Sequence, residues 1–190
     1  MIDLDGATVL FVPGLRDHVE DHWQTHAARA IPGSVTVEPL TADRLSRAAR
    51  VVALDAALNA IAGDVIIAAH SAGCLMVAAW AESQSRPVRA ALLVTPADVE
   101  RPLPPGYPEI DDLAANGWLP ISRTAMPFPA HVVASRNDPL CGFAEAEELA
   151  GHWRARLLDA GTVGHLNPAA GYGPWPQALE LIEELAQTTR

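Results

Sequence analysis

The chain contains no lysine: its 13 basic residues are all arginine, set against 23 acidic ones for a formal net charge of −10. Without a basic run or patch it lacks the phosphate-neutralising surface of a nucleic-acid binder. The acidic balance instead favours solubility. Cysteine is scarce too. Cys74 and Cys141 are too few for a disulfide framework or a zinc cluster, and they read as small buried hydrophobes. No apolar run approaches the roughly 18–20 residues that cross a bilayer. The opening residues, 1–6, are acidic and lack the basic start and apolar stretch of a signal peptide. Together these absences predict a cytoplasmic protein that engages neither nucleic acid nor membrane. No G-x-G-x-x-G stretch follows a strand, so no dinucleotide fingerprint is present. No metal or other cofactor is expected. No internal repeat and no linker divides the chain, so residues 1–190 are expected to form one domain.

Apolar runs alternate with helical stretches along most of the length. Strands are predicted over 7–12, 34–38, 64–69, 89–95, 130–135 and, more weakly, 155–159. Helices are predicted over 19–30, 45–61, 72–82, 145–152 and 177–187. Continuous rather than alternating apolar strands suit a parallel sheet covered on both faces. The expected fold is therefore α/β, a three-layer α/β/α sandwich of about six parallel strands. Residues 96–129 break the rhythm with 8 of the chain's 16 prolines. So long an irregular connection is uncommon and is often a lid or binding loop. Tyr107, Trp118, Leu119, Ile121 and Phe128 could form an apolar wall there, or the segment could be a structural wrap with these residues packed inward.

The segment Ala69-His70-Ser71-Ala72-Gly73 stands where a strand turns into a helix, the arrangement of a nucleophile elbow. Small residues flanking the serine permit the tight bend. The helix start behind it offers unpaired N–H groups to a developing oxyanion. Ser71 also fits a helix N-cap, so the pentapeptide alone leaves both roles open. A serine nucleophile needs a base and an acid to orient that base. Downstream, Asp138 lies past the fifth strand and His165 past the sixth, in the chain order Ser–Asp–His of α/β hydrolases. Asp98, past the fourth strand, is a rival for the acid, and Asn137 a more distant one. His131 begins a strand at the wrong end of the sheet, and His152 belongs to a helix. His70 reads as a residue that shapes the elbow.

The chain resembles the RBBP9/YdeN family of small single-domain serine hydrolases over nearly its whole length. The resemblance rests on Pro13-Gly14 with His22-Trp23-Gln24, on the elbow, on Ser135-Arg136-Asn137-Asp138-Pro139, on Gly164-His165-Leu166-Asn167 and on Gly171-Tyr172-Gly173-Pro174-Trp175-Pro176. Ala69 replaces the usual glycine, and Pro13 stands where many relatives carry histidine. The resemblance implies a minimal α/β-hydrolase fold with strand order 2-1-3-4-5-6. It implies Ser71, Asp138 and His165 as nucleophile, acid and base, with the backbone N–H groups of Leu15 and Ala72 as oxyanion donors. Trp23, Trp118 and Trp175 are candidate substrate contacts. The expected reaction is hydrolysis of a small-molecule ester, thioester or amide through an acyl-enzyme. The alternative is a protein-binding module of the same fold with little activity, since one family member is named for a protein partner.

Overall fold

Runs rich in small and branched apolar residues supply the strands. In the computed structural model, which describes residues 2–188, these are β1 (Thr8–Val12), β2 (Val35–Thr36), β3 (Val65–His70), β4 (Ala90–Val94), β5 (Ala130–Ala134) and β6 (Arg156–Asp159). They form one parallel sheet in the order β2-β1-β3-β4-β5-β6, the order the family resemblance implies. Every residue of β3, β4 and β5 is buried. That explains their unbroken apolar character, because neither face of these strands meets water. The edge strand β6 is exposed at both ends, and its sequence signal is correspondingly weak.

The helices are α1 (Trp23–Ala30), α2 (Arg47–Ala60), α3 (Ala72–Ala81), α4 (Ile110–Ala115), α5 (Phe143–Trp153) and α6 (Gln177–Thr188). Strand side chains alternate between two cores. Leu10, Val12, Ile67 and Leu93 pack toward α2, α3 and α5. Val9, Phe11, Ile66 and Leu92 pack toward α1 and α6. The result is the expected three-layer sandwich. The helix expected over 19–30 begins only at Trp23. His22 caps it by accepting the Gln24 N–H on Nδ1 at 3.2 Å, while the Thr25 hydroxyl donates to the Val19 carbonyl at 2.8 Å and holds the preceding turn.

The proline-rich segment divides into two parts and contains α4, which its composition conceals. Its second part is a wrap: Leu113, Trp118, Ile121 and Phe128 are all buried in the α2/α3 core. The indole Nε1 of Trp118 donates to the Leu45 carbonyl at 2.6 Å. Its first part turns toward the carboxyl ends of the strands. Cys74 and Cys141 are free, buried thiols, as expected. Burial pushes both thiols up, Cys141 to about 12. Among the described residues no helix is long and apolar enough to cross a membrane.

Candidate active site

The bend between β3 and α3 places Ser71 at φ 57° and ψ −125°. A non-glycine residue is uncommon at positive φ, and such strain concentrates at functional sites. The hydroxyl of Ser71 makes no cap hydrogen bond to α3, so the capping role left open by the sequence is not the one it plays. The neighbours permit the turn. A side chain at position 73 would run into the Val12 carbonyl oxygen, so Gly73 lets α3 pass close to β1. Ala69 is fully buried and pairs with Val12 and Leu93. Its methyl group fits within the sheet, and the departure from glycine there leaves the bend intact.

His165 and Asp138 come together from two loops at the same edge of the sheet. His165 Nδ1 lies 2.9 and 2.8 Å from the two Asp138 carboxylate oxygens, and both side chains are almost fully buried. A carboxylate oxygen accepts in this contact, so Nδ1 donates and Nε2 keeps its lone pair. The two loops are tied to each other. Asn137 Oδ1 accepts the Gly164 N–H at 2.7 Å and the Ser135 hydroxyl at 2.9 Å. The Ser135 oxygen in turn accepts the Val163 N–H at 3.1 Å. The His165 carbonyl is held by His70 Nε2 at 2.9 Å and by the Thr95 hydroxyl at 3.3 Å. His70 thus shapes the site through His165 as well as through the bend at Ser71.

Asp98 lies apart from this pair. Its carboxylate accepts the Glu100 N–H at 3.1 Å and faces Arg101 at 3.2 Å, and burial raises its pKa. Only its backbone serves the acid loop, donating to the Leu140 carbonyl at 2.9 Å. Asn137 is a tether between loops rather than an acid.

Ser71 and His165 line one cavity of about 390 Å³. Their side chains face this space without a hydrogen bond joining them. The loop after β1 closes against it. A methyl group on Gly14 would sit 3.1 Å from Ser71 Cβ, which puts this loop directly against Ser71. Among the described residues, neither the Leu15 N–H nor the Ala72 N–H has an acceptor. Ala72 opens α3, where the first amides have no partner within the helix. The structure also shows a residue that sequence reasoning missed. Arg50, on α2, is buried and reaches under the loop. Its guanidinium donates to the Arg44 carbonyl at 2.6 Å, the Leu15 carbonyl at 3.2 Å, the Gly14 carbonyl at 3.5 Å and Asp17 Oδ1 at 2.8 Å. The signal was available: Arg50 stands four and eight residues before Leu54 and Leu58, on the helix stripe that faces the core.

None of the three tryptophans proposed as substrate contacts lines the cavity. Trp118 is a core residue of the wrap. Trp23 is buried with its ring edge-on to His70 and Phe11. Trp175 is half-buried and packs edge-on against Trp23 at 5.4 Å between ring centroids. The apolar wall consists instead of Ala97, Val99, Leu103, Tyr107 and Leu140. Of the aromatics expected in that wall, Tyr107 alone is there, under the guanidinium of Arg16 at 4.9 Å. His22, which sequence reasoning noted only as part of a pattern, also lines the cavity. Burial, aided by the nearby His165, lowers its pKa to about 4. The fully buried His70 is pushed well below the ordinary histidine value by the same causes. Among the described residues no cluster of His, Cys, Asp and Glu has the makings of a metal site.

Comparison with known proteins points the same way. Residues 9–184 match the model of a family described as serine hydrolase. A YdeN-like hydrolase from Pectobacterium atrosepticum is similar at 30% identity and a TM-score of 0.80, over 97% of this chain and 93% of that one. The ydeN gene product of Bacillus subtilis is similar at 15% identity and a TM-score of 0.73, over 94% and 98%. The RedJ thioesterase of Streptomyces coelicolor, at 14% identity and a TM-score of 0.63 over 97% and 91%, shares the fold. No curated protein matches the chain.

Proposed function

The chain belongs to the serine hydrolase family, among the small YdeN-type members with the α/β-hydrolase fold, and on that premise we propose that it cleaves a small ester, thioester or amide through an acyl-enzyme on Ser71. The observation that carries this reading is the contact of His165 Nδ1 with both oxygens of Asp138, while His165 faces the same cavity as the strained Ser71.

In the first half-reaction, Ser71 Oγ attacks the substrate carbonyl carbon and its proton passes to His165 Nε2. Asp138 holds the imidazole in the required tautomer and stabilises the imidazolium that forms. The negative charge on the carbonyl oxygen is met by the N–H groups of Leu15 and Ala72. Losing one such donor typically raises the barrier by about 2.7–4 kcal/mol. Collapse of the tetrahedral intermediate breaks the bond to the leaving group, which takes the proton from His165. Water then adds to the acyl-enzyme, giving a proton to His165. Collapse releases the acid and returns that proton to Ser71.

A fluorophosphonate probe tests this reading. The wild-type protein is expected to label and to turn over short p-nitrophenyl esters, and Ser71→Ala to do neither. His165→Ala is expected to lose turnover and nearly all labelling. A wild-type protein that neither labels nor hydrolyses overturns the proposal. Labelling that persists in Ser71→Ala moves the nucleophile elsewhere.

A further inference from the structure

His22 is buried, lines the cavity, and has one ring nitrogen already committed. Its Nδ1 accepts the Gln24 N–H at 3.2 Å, so the proton of the neutral ring sits on Nε2. Among the described residues that Nε2–H has no acceptor. That donor is not sealed off inside the protein but opens onto the cavity, where a bound oxygen can accept from it. The lowered pKa of His22 keeps the ring in this neutral form at ordinary pH.

The position of His22 indicates which part of a substrate it faces. The rings of His22 and His165 both pack on His70, with centroids 4.5 and 4.8 Å away. His165 has to protonate the leaving group, so the leaving group occupies the side of the cavity next to this histidine cluster. The cavity is lined by the polar Thr25, Ser34 and Thr36 along α1 and β2 and by the apolar Val99, Leu103 and Leu140 from the connections after β4 and β5. Resting on the hydrolase reading above, we propose that His22 is a substrate-binding residue whose Nε2–H holds an oxygen of the leaving group. The favoured substrates are then esters of apolar acids with alcohols that carry a further hydroxyl or ether oxygen.

Two esters with one acyl chain test this: glycerol 1-butyrate, whose alcohol has two further hydroxyls, and propyl butyrate, whose alcohol has none. The wild-type protein is expected to favour the glycerol ester in kcat/KM by about three- to tenfold, the worth of one hydrogen bond. In His22→Asn the amide oxygen can still cap α1, since asparagine is a favoured cap, but the Nε2 donor is gone. The preference is expected to fall to about one with Tm little changed. His22→Gln is expected to keep the preference while Tm drops, because its longer amide restores the donor and not the cap. A wild-type ratio near one, or an unchanged ratio in His22→Asn, overturns the inference while leaving the hydrolase reading intact. Absence of turnover of both esters together with no labelling of Ser71 overturns both.

Discussion

At the scale of single residues, Arg50 shows how a side chain far from the elbow in sequence shapes it in space. Its guanidinium is buried, with four acceptors around it. Removing a partner from a buried ion pair costs about 3–5 kcal/mol when the other charge is stranded. Asp17 keeps Arg44 at 2.7 Å, so Arg50→Met is expected to sit at or below the lower end of that range in a urea titration. Because the loop behind the Leu15 N–H would loosen, kcat for a short ester is expected to fall at least about tenfold, a fraction of one oxyanion donor's worth, with KM little moved. An unchanged kcat in the folded variant would show that the loop holds its shape without Arg50. The acid is tested separately. Asp138→Asn is expected to lower kcat by about 10³–10⁴-fold through the wrong histidine tautomer, whereas Asp98→Asn is expected to stay near wild type. The reverse result would exchange their roles. The placement of Ser71, Asp138 and His165 at one edge of the sheet was legible because chain order and position after strands are written in the sequence. Arg50 and His22 were not, since their roles depend on which loop folds over them.

At the scale of elements, the central strands and most helices were legible to within about two residues, because their apolar spacing reports burial directly, whereas β2 and the start of α1 were read too long. The 96–129 connection was legible only as an exception. Proline content announces irregular backbone but does not say which side chains turn inward. The structure splits the segment between two tasks. Its start supplies Ala97, Val99, Leu103 and Tyr107 to the cavity, and its end supplies Trp118, Ile121 and Phe128 to the core. Substitutions in the two halves are therefore expected to have separable effects. Trp118→Ala opens a large void and loses the Leu45 hydrogen bond, so it is expected to cost about 3–5 kcal/mol of stability while the folded fraction keeps its kcat. Leu103→Ala is expected to leave stability nearly intact and to raise KM for a hexanoate ester more than for an acetate ester. If Trp118→Ala changed KM selectively at full stability, the tryptophan would be a substrate contact after all.

At the scale of the whole molecule, parallel strands joined through helices bring the loops around the cavity to one edge of the sheet, and this much follows from the alternation of elements. What alternation does not reveal is the charge state of the interior. His22, His70 and His131 all have pKa values lowered first by burial, His22 to about 4. The unfolded chain, with ordinary histidines, therefore binds more protons than the folded one between about pH 6.5 and 4. Stability accordingly falls as the pH is lowered through that window and is fully recovered above it. For His22 alone the loss between pH 7 and pH 5 comes to roughly 2 kcal/mol, since each tenfold difference in proton affinity between the folded and unfolded chain is worth about 1.36 kcal/mol. That interval lies above the pKa of ordinary carboxylates, whose titration contributes little to it; Asp98, raised by burial, acts in the opposite sense. Urea titrations at pH 7 and 5 are expected to show the midpoint falling, and His22→Asn to shrink the fall by about the His22 share. A midpoint constant across this interval would mean that these histidines keep ordinary proton affinities in the folded chain.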